Sequence, residues 1–352
     1  MRILVATDAW RPQVNGVVRT YERLGEEATK LGAEINFITP AEFYTVPAPT
    51  YPEIRLAMPG FSWVRRRFAD VLPDAVHIAT EGPVGWMARS HCLSKRIPFT
   101  TSFHTRFPEY LKPRFGVPAS WTYSMMRSFH NAGCGVMVAT PSLAAELSGR
   151  GFDRILPWTR GVDTTMFRPR PVRRFGDDPV FITVGRVAVE KNISAFLDLP
   201  LPGRKVVVGD GPQRAELEAR HKDVLFTGKM TGEDLAECYA SADVFVMPSL
   251  TETFGIVQLE AMASGLPVAA FPVTGPIDLV QPGVTGVLSN DLGEAARQAL
   301  TLDRDIIRDK ALDYSWESAT RLFLNNIESA LFAKLGRRVP ARRGVIRRAA
   351  SA

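Results

Sequence analysis

The sequence is poor in cysteine and has no long apolar run. It contains three cysteines, Cys92, Cys134 and Cys238, in 352 residues. Because this number is odd and the spacings are wide, neither a disulfide framework nor a zinc ligand set fits them, and we expect a reducing, cytoplasmic environment. No uninterrupted apolar stretch approaches the ~18 residues that a membrane-spanning helix needs. We therefore do not expect an integral membrane protein.

Two short ligand-binding motifs are not found at the strand ends where they would bind a cofactor or a metal. The stretch after Val5, TDAWRPQVNG, lacks the G-x-G-x-x-G turn that dinucleotide-binding domains place after their first strand. This disfavours a nicotinamide-dependent oxidoreductase. The one D-x-D sequence, Asp303 and Asp305, falls in an Arg-rich helical stretch rather than at a strand end. We expect a solvated helix face there, and neither a metal nor another cofactor.

The net charge of +6 is unevenly distributed. Residues 1–160 carry 19 Lys and Arg against 13 Asp and Glu, whereas residues 161–333 carry 17 against 24. Residues 334–352 carry seven basic residues and no acidic one. The first half and the tail therefore suit an anionic surface or ligand, and the tail, which has few apolar residues, is predicted to be disordered. Because the tail has no aromatic residue for stacking on bases, we expect no nucleic-acid partner.

Short β-rich runs alternate with helical-length segments along the chain. The first series is Ile3–Thr7, Ile35–Thr39, Val76–Thr80, Phe99–Phe103 and Val136–Thr140, and the second is Val180–Val184, Lys205–Val208, Val224–Phe226, Val244–Met247 and Val268–Phe271. This alternation predicts an α/β fold with two Rossmann-like parallel sheets in series. Ligands bind at the carboxyl ends of such strands, so we expect the two domains to face each other across a cleft.

Proline and glycine interrupt the stretch between the two series, RPRPVRRFGDDP. We place the first domain at residues 1–165 and the second at residues 172–315. A helix at about 316–333 is predicted to pack back on the first domain, and residues 334–352 form the basic tail.

The strongest local signal is the segment MPSLTETFGIVQLEAMASGLPV. A strand ends near Pro248, and a helix begins at about Phe254–Ile256. Glu252 therefore lies in the loop before the helix, and Glu260 lies one to two turns inside it. The N–H groups of a helix start bind phosphate, and a neighbouring carboxylate can bind a vicinal diol. We predict that Glu252 contacts sugar hydroxyls and that Glu260 contacts a ribose. The alternative is that Glu252 is a loop carboxylate that favours the helix start and that Glu260 is a solvent-facing helix residue.

The segment GRVAVEKN places two cations, Arg186 and Lys191, at the carboxyl end of a strand. Two cations there can clamp a diphosphate and stabilise the charge that grows on it as the glycosidic bond breaks. The alternative is a pair of surface cations. Gly209 and Gly211 form a tight turn after the next strand, which suits either close approach of the nucleotide or a purely structural turn.

Two loops of the first domain are candidates for ligand contact. Asn15 and Gly16 close the loop between the first strand and its helix, where a glycine permits close contact with phosphate or acceptor. Glu81 and Gly82 end a later strand and either border the acceptor pocket or cap a helix.

His104 and Arg106 follow the strand at 99–103 and so point into the expected cleft. A lone histidine is more often structural than functional. Arg106 can meet an anionic acceptor or a sugar carboxylate.

Several of these segments together resemble glycosyltransferase family 4. The run TETFGIVQLEAMASGLPV is similar to its nucleotide-sugar signature, and NGVVR, SFHTRF, RGVDTTMF, GRVAVEKN and GDGP precede it in the order and spacing of the family. The resemblance implies the GT-B fold, with the acceptor on the first domain and the nucleotide sugar on the second. It also implies retaining transfer by front-face substitution, in which the departing phosphate helps to deprotonate the incoming hydroxyl.

The resemblance further implies roles for individual residues. His104 lies beside the donor sugar near its reacting carbon, and Arg186 and Lys191 form the diphosphate clamp. The implied donor site also includes Asn15, Gly16, Gly185, Gly209, Gly211, Thr253, Phe254, Gly255 and Ile256. There are two departures. Many relatives have Pro in place of Thr253. The threonine in this chain favours a subgroup rich in lipid glycosyltransferases and GDP-mannose-dependent mannosyltransferases. Relatives commonly carry Glu in place of Asp278, which leaves the contact of that loop with the donor open.

Together these observations predict a hexosyltransferase that uses a nucleotide sugar, preferably a UDP-sugar, and forms an α-glycosidic bond to a membrane lipid such as diacylglycerol. A cluster of aromatic and basic residues comprises Phe61, Trp63, Arg65, Arg66, Arg67 and Phe68. It suits peripheral docking on an anionic membrane, here the inner face of the cytoplasmic membrane, and fits an ordinary amphipathic helix equally well. The alternatives are a GDP-mannose-dependent α-mannosyltransferase with a glycolipid or soluble glycan acceptor, and a catalytically silent nucleotide-binding protein at the membrane.

Overall fold

The computed structural model describes residues 1–13, 15–48, 51–58, 60–106 and 117–336, and for residues 51–54 it describes the backbone alone. These residues form two six-stranded parallel sheets, a two-stranded antiparallel ribbon and flanking helices. The predicted α/β class with two parallel sheets is thereby confirmed.

The first sheet has the strand order β2-β1-β5-β6-β7-β8. Its strands are β1 (Arg2–Ala6), β2 (Glu34–Ile38), β5 (Ala75–Ile78), β6 (Thr100–Phe103), β7 (Val136–Val138) and β8 (Ile155–Pro157), and β3 (Thr45–Ala48) and β4 (Tyr51–Ala57) form the ribbon. The flanking helices are α1 (Gly16–Lys30), α2 (Phe61–Val71), α3 (Pro83–Lys95), α4 (Ala119–Asn131) and α5 (Pro141–Gly149). β1 reads RILVA and is buried along nearly its whole length, as expected for a central parallel strand covered on both faces.

The second sheet has the strand order β11-β10-β9-β12-β13-β14. Its strands are β9 (Val180–Val184), β10 (Arg204–Val208), β11 (Leu225–Gly228), β12 (Val244–Met247), β13 (Val268–Ala270) and β14 (Gly286–Leu288). The helices are α6 (Ile193–Leu197), α7 (Arg214–Arg220), α8 (Gly232–Ala240), α9 (Ile256–Ala263), α10 (Pro276–Leu279), α11 (Leu292–Ala299), α12 (Arg304–Ala311) and α13 (Trp316–Leu335). Because β9 and β12 are neighbours in this sheet, the loops that follow them meet at one edge.

The chain folds into two compact units that are interleaved along the sequence. The first unit comprises residues 1–102, 128–137 and 321–352, and the second comprises residues 103–127 and 138–320. Each has its own core of buried apolar side chains. The domain boundaries predicted from the sequence stay predictions.

The helix α13 buries one face. Phe323, Ile327 and Leu331 recur every fourth residue and are almost fully buried, and the Phe323 ring lies 5.0 Å from the His77 ring of β5 within the first unit. Residues 337–352, which hold most of the basic tail, lie outside the described residues. Among the helices of the described ranges, none is both long and apolar enough to span a membrane.

Candidate active site

Two glycines shape the loop that carries Glu252. Gly255 and Gly275 adopt positive φ angles of 79° and 94°. A Cβ atom on Gly255 would lie 2.6 Å from Nε2 of Gln258, and one on Gly275 would lie 3.0 Å from the carbonyl oxygen of Phe254. Both positions therefore favour glycine. Gly255 lies in the turn that leads from β12 into α9, and Gly275 lies in the loop before α10 and packs against that turn.

The carboxylate of Glu252 is paired with a cation from the neighbouring strand end. Nζ of Lys191, in the 3₁₀ segment after β9, lies 2.7 Å from Oε2 of Glu252. The other carboxylate oxygen accepts a hydrogen bond from the backbone N–H of Thr253 at 3.1 Å. The predicted sugar ligand and the predicted phosphate ligand are thus brought together, and each holds the other in place.

The remaining predicted residues of this loop support its shape. The Thr253 hydroxyl donates to the carbonyl oxygen of His104 at 2.9 Å. The Phe254 side chain is buried in the core of the second unit, and Ile256 begins α9, whose first N–H groups point out of the helix start. The helix therefore starts where the sequence predicts, and its role in binding phosphate stays a prediction.

The loop that carries Arg186 rests on a glycine turn. A Cβ atom on Gly209 would lie 1.8 Å from the carbonyl oxygen of Gly185, and one on Gly211 would lie 2.4 Å from that of Val187. The loop after β9 and the loop after β10 therefore touch backbone to backbone, which supports the structural alternative for these two glycines. Arg186 is partly exposed at the same strand edge. Its role as a phosphate ligand stays a prediction.

Glu260 is buried rather than solvent-facing. Its side chain lies in the second turn of α9 at 3% exposure, and the hydroxyl of Tyr239 in α8 donates to Oε2 at 3.0 Å. A buried carboxylate needs polar partners, and Tyr239 supplies one that no sequence pattern indicates. The predicted ribose contact of Glu260 stays a prediction.

His104 is held from two sides within the second unit. Its backbone carbonyl accepts from Thr253, and its Nδ1 atom lies 2.9 Å from a terminal guanidinium nitrogen of Arg160. Arg160 is a partner of His104 that sequence reasoning missed. Arg160 is the first residue of the segment RGVDTTMF, which is one of the segments that resemble the family. No local sequence feature, however, indicates that this arginine contacts His104.

Arg106 is buried in the same region and contacts three separate segments of the chain. Its guanidinium donates to the carbonyl oxygen of Glu252 at 3.1 Å and to the hydroxyl of Thr274 at 3.1 Å, and lies 2.7 Å from the carboxylate of Glu146. Burial raises the pKa of Glu146, but hydrogen bonds and charge from Arg106 and Arg150 outweigh it and lower the pKa below the usual value. Arg106 thus supports the Glu252 loop, and its predicted contact with an anionic acceptor stays a prediction.

The carboxylate of Asp278 binds the start of a helix. It accepts from the backbone N–H of Ser142 at 2.9 Å, from the Ser142 hydroxyl at 2.5 Å and from the backbone N–H of Gly275 at 3.2 Å. The shorter Asp side chain that departs from the family pattern therefore closes the loop against the start of α5. A contact of this loop with the donor stays a prediction.

Asn15 and Gly16 form a helix start in the first unit. The Asn15 side chain accepts from the backbone N–H groups of Val17 and Val18, each at 3.0 Å, and Gly16 is the first residue of α1. This is a standard N-cap, which stabilises the helix by about 1 kcal/mol. The donor contact predicted for Asn15 and Gly16 stays a prediction.

Glu81 and Gly82 lie at the first-unit strand edge as predicted, with structural partners. Glu81 pairs with Nε2 of His130 at 2.9 Å. A Cβ atom on Gly82 would lie 2.4 Å from the Asp8 carboxyl carbon. Asp8 in turn accepts from the backbone N–H groups of Val84 and Gly85 at the start of α3. The acceptor contact predicted for Glu81 and Gly82 stays a prediction.

Asp8 carries no sequence signal, yet its environment is unusual. Burial outweighs the hydrogen bonds from Val84, Thr80 and Gly85, and the nearby charge of Glu81 adds to it, so that the pKa of Asp8 rises to about 6. A titratable carboxyl group therefore sits beneath the start of α3.

Metal ligands are sparse in the described part of the chain. No group of three or more His, Cys, Asp or Glu side chains there is placed to hold a metal ion. Metal-independent transfer stays a prediction.

Two family models match the chain. One described as Glycosyltransferase Family 4 matches residues 14–166, and one described as Glycosyl transferases group 1 matches residues 178–305. Among relatives, the Sulfoquinovosyl transferase SQD2 of Arabidopsis thaliana is 30% identical over 365 residues, which cover 90% of this chain and 71% of that protein. A GDP-mannose-dependent alpha-mannosyltransferase of Mycobacterium tuberculosis is 32% identical over 320 residues, which cover 82% of this chain and 83% of that protein.

The fold is shared with a solved structure that contains a bound nucleotide sugar. HepE of Anabaena, crystallised in complex with UDP-glucose, superposes with a TM-score of 0.72, covering 94% of this chain and 100% of that chain at 17% sequence identity. At that identity the likeness shows the fold alone. The chain therefore belongs to glycosyltransferase family 4, and it is a glycosyltransferase of GT-B fold that uses a nucleotide-sugar donor.

Proposed function

We propose that the protein is a retaining, metal-independent hexosyltransferase that transfers a hexosyl group from a UDP-sugar to a membrane lipid such as diacylglycerol. The observation that carries the transfer step is the pairing of Lys191 with Glu252 beside the start of α9. It gathers a cation, a carboxylate and helix N–H groups at one strand edge.

The groups at this edge support a site for the donor. Lys191, Arg186 and the N–H groups at the start of α9 would hold the diphosphate, because cations and helix starts favour anions. Glu252 would accept hydrogen bonds from sugar hydroxyls, and Glu260 from a ribose hydroxyl. Each carboxylate already has a fixed partner, so both are oriented before the donor arrives.

The chemistry then proceeds on one face of the sugar. The bond between the anomeric carbon and the diphosphate oxygen breaks while the acceptor oxygen bonds to that carbon. The departing diphosphate accepts the proton of the acceptor hydroxyl, so that the nucleoside diphosphate leaves and the α configuration is kept. Lys191 and Arg186 would stabilise the negative charge that develops on the leaving group.

The acceptor proposal is supported by an exposed surface of the first unit. We define the α2 surface as Tyr44, Met58, Phe61, Trp63, Arg65 and Arg66. Phe61 and Trp63 are 57% and 36% exposed, and Arg66 lies over the Trp63 ring at 5.6 Å. Exposed aromatic side chains next to arginines suit the interface of an anionic bilayer.

The cluster predicted from the sequence is only partly available to a membrane. Phe68 is buried in the core of the first unit. Arg67 pairs with Glu42 at 2.9 Å and donates to the carbonyl oxygen of Phe37 at 3.1 Å. The amphipathic-helix alternative therefore describes Arg67 and Phe68, and the membrane proposal rests on the exposed side chains of the α2 surface.

One observation favours a second candidate. The M. tuberculosis relative at 32% identity is named as a GDP-mannose-dependent alpha-mannosyltransferase. The same site would then hold GDP-mannose, with a glycolipid or soluble glycan as acceptor.

Thermal unfolding with UDP and with GDP tests the donor. A ligand that binds the native state at a hundredfold excess over its Kd stabilises it by ~2.7 kcal/mol. We expect a larger upward shift of Tm with UDP than with GDP. A larger shift with GDP, or equal shifts, would overturn the UDP proposal.

Turnover tests the reaction. The protein is incubated with a radiolabelled UDP-hexose and diacylglycerol in anionic vesicles, with and without EDTA, and the glycolipid is analysed by NMR. We expect an α-linked product whose yield EDTA leaves unchanged. Release of UDP without glycolipid would contradict the lipid acceptor, and no release of UDP at all would contradict the UDP-hexose donor.

A further inference from the structure

We infer that Arg160 is a positioning residue that holds His104 as the neutral tautomer with its proton on Nε2. The inference deepens the proposed function and rests on it, because it concerns how His104 would contact the donor sugar. Arg160 lies in the segment between β8 and β9, and His104 follows β6. Both belong to the second unit, and both are more than nine-tenths buried.

The chemistry of the pair decides which ring nitrogen carries the proton. The terminal guanidinium nitrogen of Arg160 lies 2.9 Å from Nδ1 of His104. A guanidinium group can only donate hydrogen bonds, so Nδ1 must present its lone pair. The proton of the neutral ring is then on Nε2. Protonation of Nδ1 would place two donors face to face and break the bond.

Arg160 is itself fixed in the orientation that this requires. Its other terminal nitrogen donates to the carbonyl oxygens of Trp158 at 2.6 Å and of Thr159 at 3.1 Å. The guanidinium plane lies over the Trp158 indole at 4.1 Å from its centroid. These contacts hold the side chain in the orientation in which the remaining terminal nitrogen faces Nδ1 of His104.

The support continues into the start of α13. The indole N–H of Trp158 donates to the carbonyl oxygen of Ala319 at 3.0 Å. A Cβ atom on Gly161 would lie 2.5 Å from the backbone nitrogen of Trp316, so the chain next to Arg160 packs directly on the helix start. Arg160, which contacts Nδ1 of His104, is therefore itself held by the framework, and this is what a preorganised site needs.

The consequence is a defined hydrogen-bond donor. Because Nδ1 accepts from Arg160, Nε2 of His104 carries an N–H group rather than a lone pair. An N–H group recognises an oxygen acceptor, such as a hydroxyl or ring oxygen of the donor sugar, and does not accept a proton from a substrate. His104 would thus bind and orient, and the departing diphosphate would remain the proton acceptor.

Tautomers are read directly by two-bond ¹H–¹⁵N correlation NMR on ¹⁵N-histidine-labelled full-length protein. The chain has five histidines, and the His104→Gln variant assigns the His104 signals by their loss. We expect wild-type His104 at neutral pH to show a protonated Nε2 and an unprotonated Nδ1. A proton on Nδ1, or a doubly protonated ring, would overturn the inference.

Three arginine variants separate positioning from folding. Arg160→Met removes the donor while keeping bulk over Trp158, and should give a mixture of tautomers; Arg160→Lys keeps a donor and should retain the Nε2–H form. Arg308→Met is the matched control, because Arg308 donates to three backbone carbonyls, those of Phe167, Ala263 and Thr164. It should leave the His104 signals unchanged. An unchanged His104 spectrum in Arg160→Met would overturn the inference.

Kinetics give a second readout that distinguishes the two proposals. We expect Arg160→Met to lower kcat by about tenfold or more, with a smaller change in the donor KM, and Arg160→Lys to recover part of the loss. Equal kcat values for wild type and Arg160→Met would contradict the positioning role. If the spectra are as expected but no nucleotide sugar is turned over, the proposed function fails and the tautomer assignment stands.

Discussion

Nζ of Lys191 lies 2.7 Å from Oε2 of Glu252, so the cation that follows β9 is already paired with the carboxylate that follows β12. The two strands are neighbours in the sheet, and this adjacency brings together residues that are 61 positions apart in sequence. A bound diphosphate would share Lys191 with Glu252. The pair therefore links the phosphate half of the proposed donor site to its sugar half.

Replacing Lys191 should slow transfer more than it weakens donor binding. Lys191→Ala removes the cation that would stabilise the leaving diphosphate, and we expect kcat to fall by about 10²–10³-fold while the donor KM changes much less. Steady-state kinetics with a saturating acceptor measure both. Lys222→Ala, at an exposed position after α7, is the matched control and should retain wild-type kcat. A kcat of Lys191→Ala within twofold of wild type would remove the assigned role.

Replacing Glu260 should weaken nucleotide binding more than it slows transfer. Glu260→Gln keeps the shape of the side chain and its contact with Tyr239 but removes the charge that would accept from a ribose diol. We expect the Kd for the nucleotide to rise by about tenfold, with a smaller change in kcat. Calorimetric titration measures the Kd. Tyr239→Phe controls for the buried hydrogen bond, and a nucleotide Kd equal to wild type in Glu260→Gln would contradict the ribose contact.

Arg106 should be required for the shape of the site even where a positive charge is kept. Arg106→Lys cannot reach Glu252, Thr274 and Glu146 together, because an ammonium group lacks the planar fork of the guanidinium. We expect the free energy of unfolding to fall by about 1–3 kcal/mol and donor binding to weaken in parallel. Urea unfolding monitors stability. Arg127→Lys, at an exposed position on α4, should behave as wild type in both measurements.

Asp8 should make the protein lose stability as pH rises between the ordinary pKa of an aspartate and the pKa that this residue has in the fold. The ordinary value is 3.8 and the pKa of Asp8 in the folded protein is about 6, so between these values the folded state binds more protons than the unfolded state. The free energy of unfolding should therefore decrease by roughly 2 kcal/mol from pH 4 to pH 6.5 through this group. The difference between wild type and Asp8→Asn, followed by urea unfolding, isolates it.

The control for Asp8 is a carboxyl group at the surface. Asp70→Asn changes an exposed residue of α2 and should give no comparable pH-dependent difference. An Asp8→Asn difference that is flat between pH 4 and pH 6.5 would show that burial does not perturb this carboxyl group.

The α2 surface should govern binding to anionic vesicles. Phe61→Ser combined with Arg65→Glu and Arg66→Glu removes one exposed aromatic and reverses two charges, so flotation with anionic vesicles at low salt should fall by at least tenfold. Leu312→Ala, at an exposed apolar position of the second unit, is the control. Wild-type protein that fails to bind these vesicles would contradict membrane docking.

Much of the fold could be predicted because it follows from short-range pattern. The apolar runs at Arg2–Ala6 and Val180–Val184 are buried parallel strands, as their composition indicates. Parallel strands deliver the residues at their ends to one edge, which is why the sequence alone favours placing Lys191 and Glu252 near each other.

Other features could not be predicted, because they depend on contacts between distant segments. Neither the hydroxyl of Tyr239 against Glu260 nor the guanidinium of Arg160 against His104 leaves a periodic signal. The interleaving of the two units has the same origin, since residues 103–127 and 128–137 join different units although they are adjacent in the chain. A sequence shows which residues are apolar, but it does not show which distant residue a buried arginine contacts.

The contact between Gly209 and Gly185 has a practical consequence for protein engineering. A β-carbon at position 209 would lie 1.8 Å from the Gly185 carbonyl oxygen, so any mutation there pushes apart the two loops, one of which carries Arg186. Mutant libraries aimed at a new sugar specificity should therefore leave positions 209 and 211 unvaried.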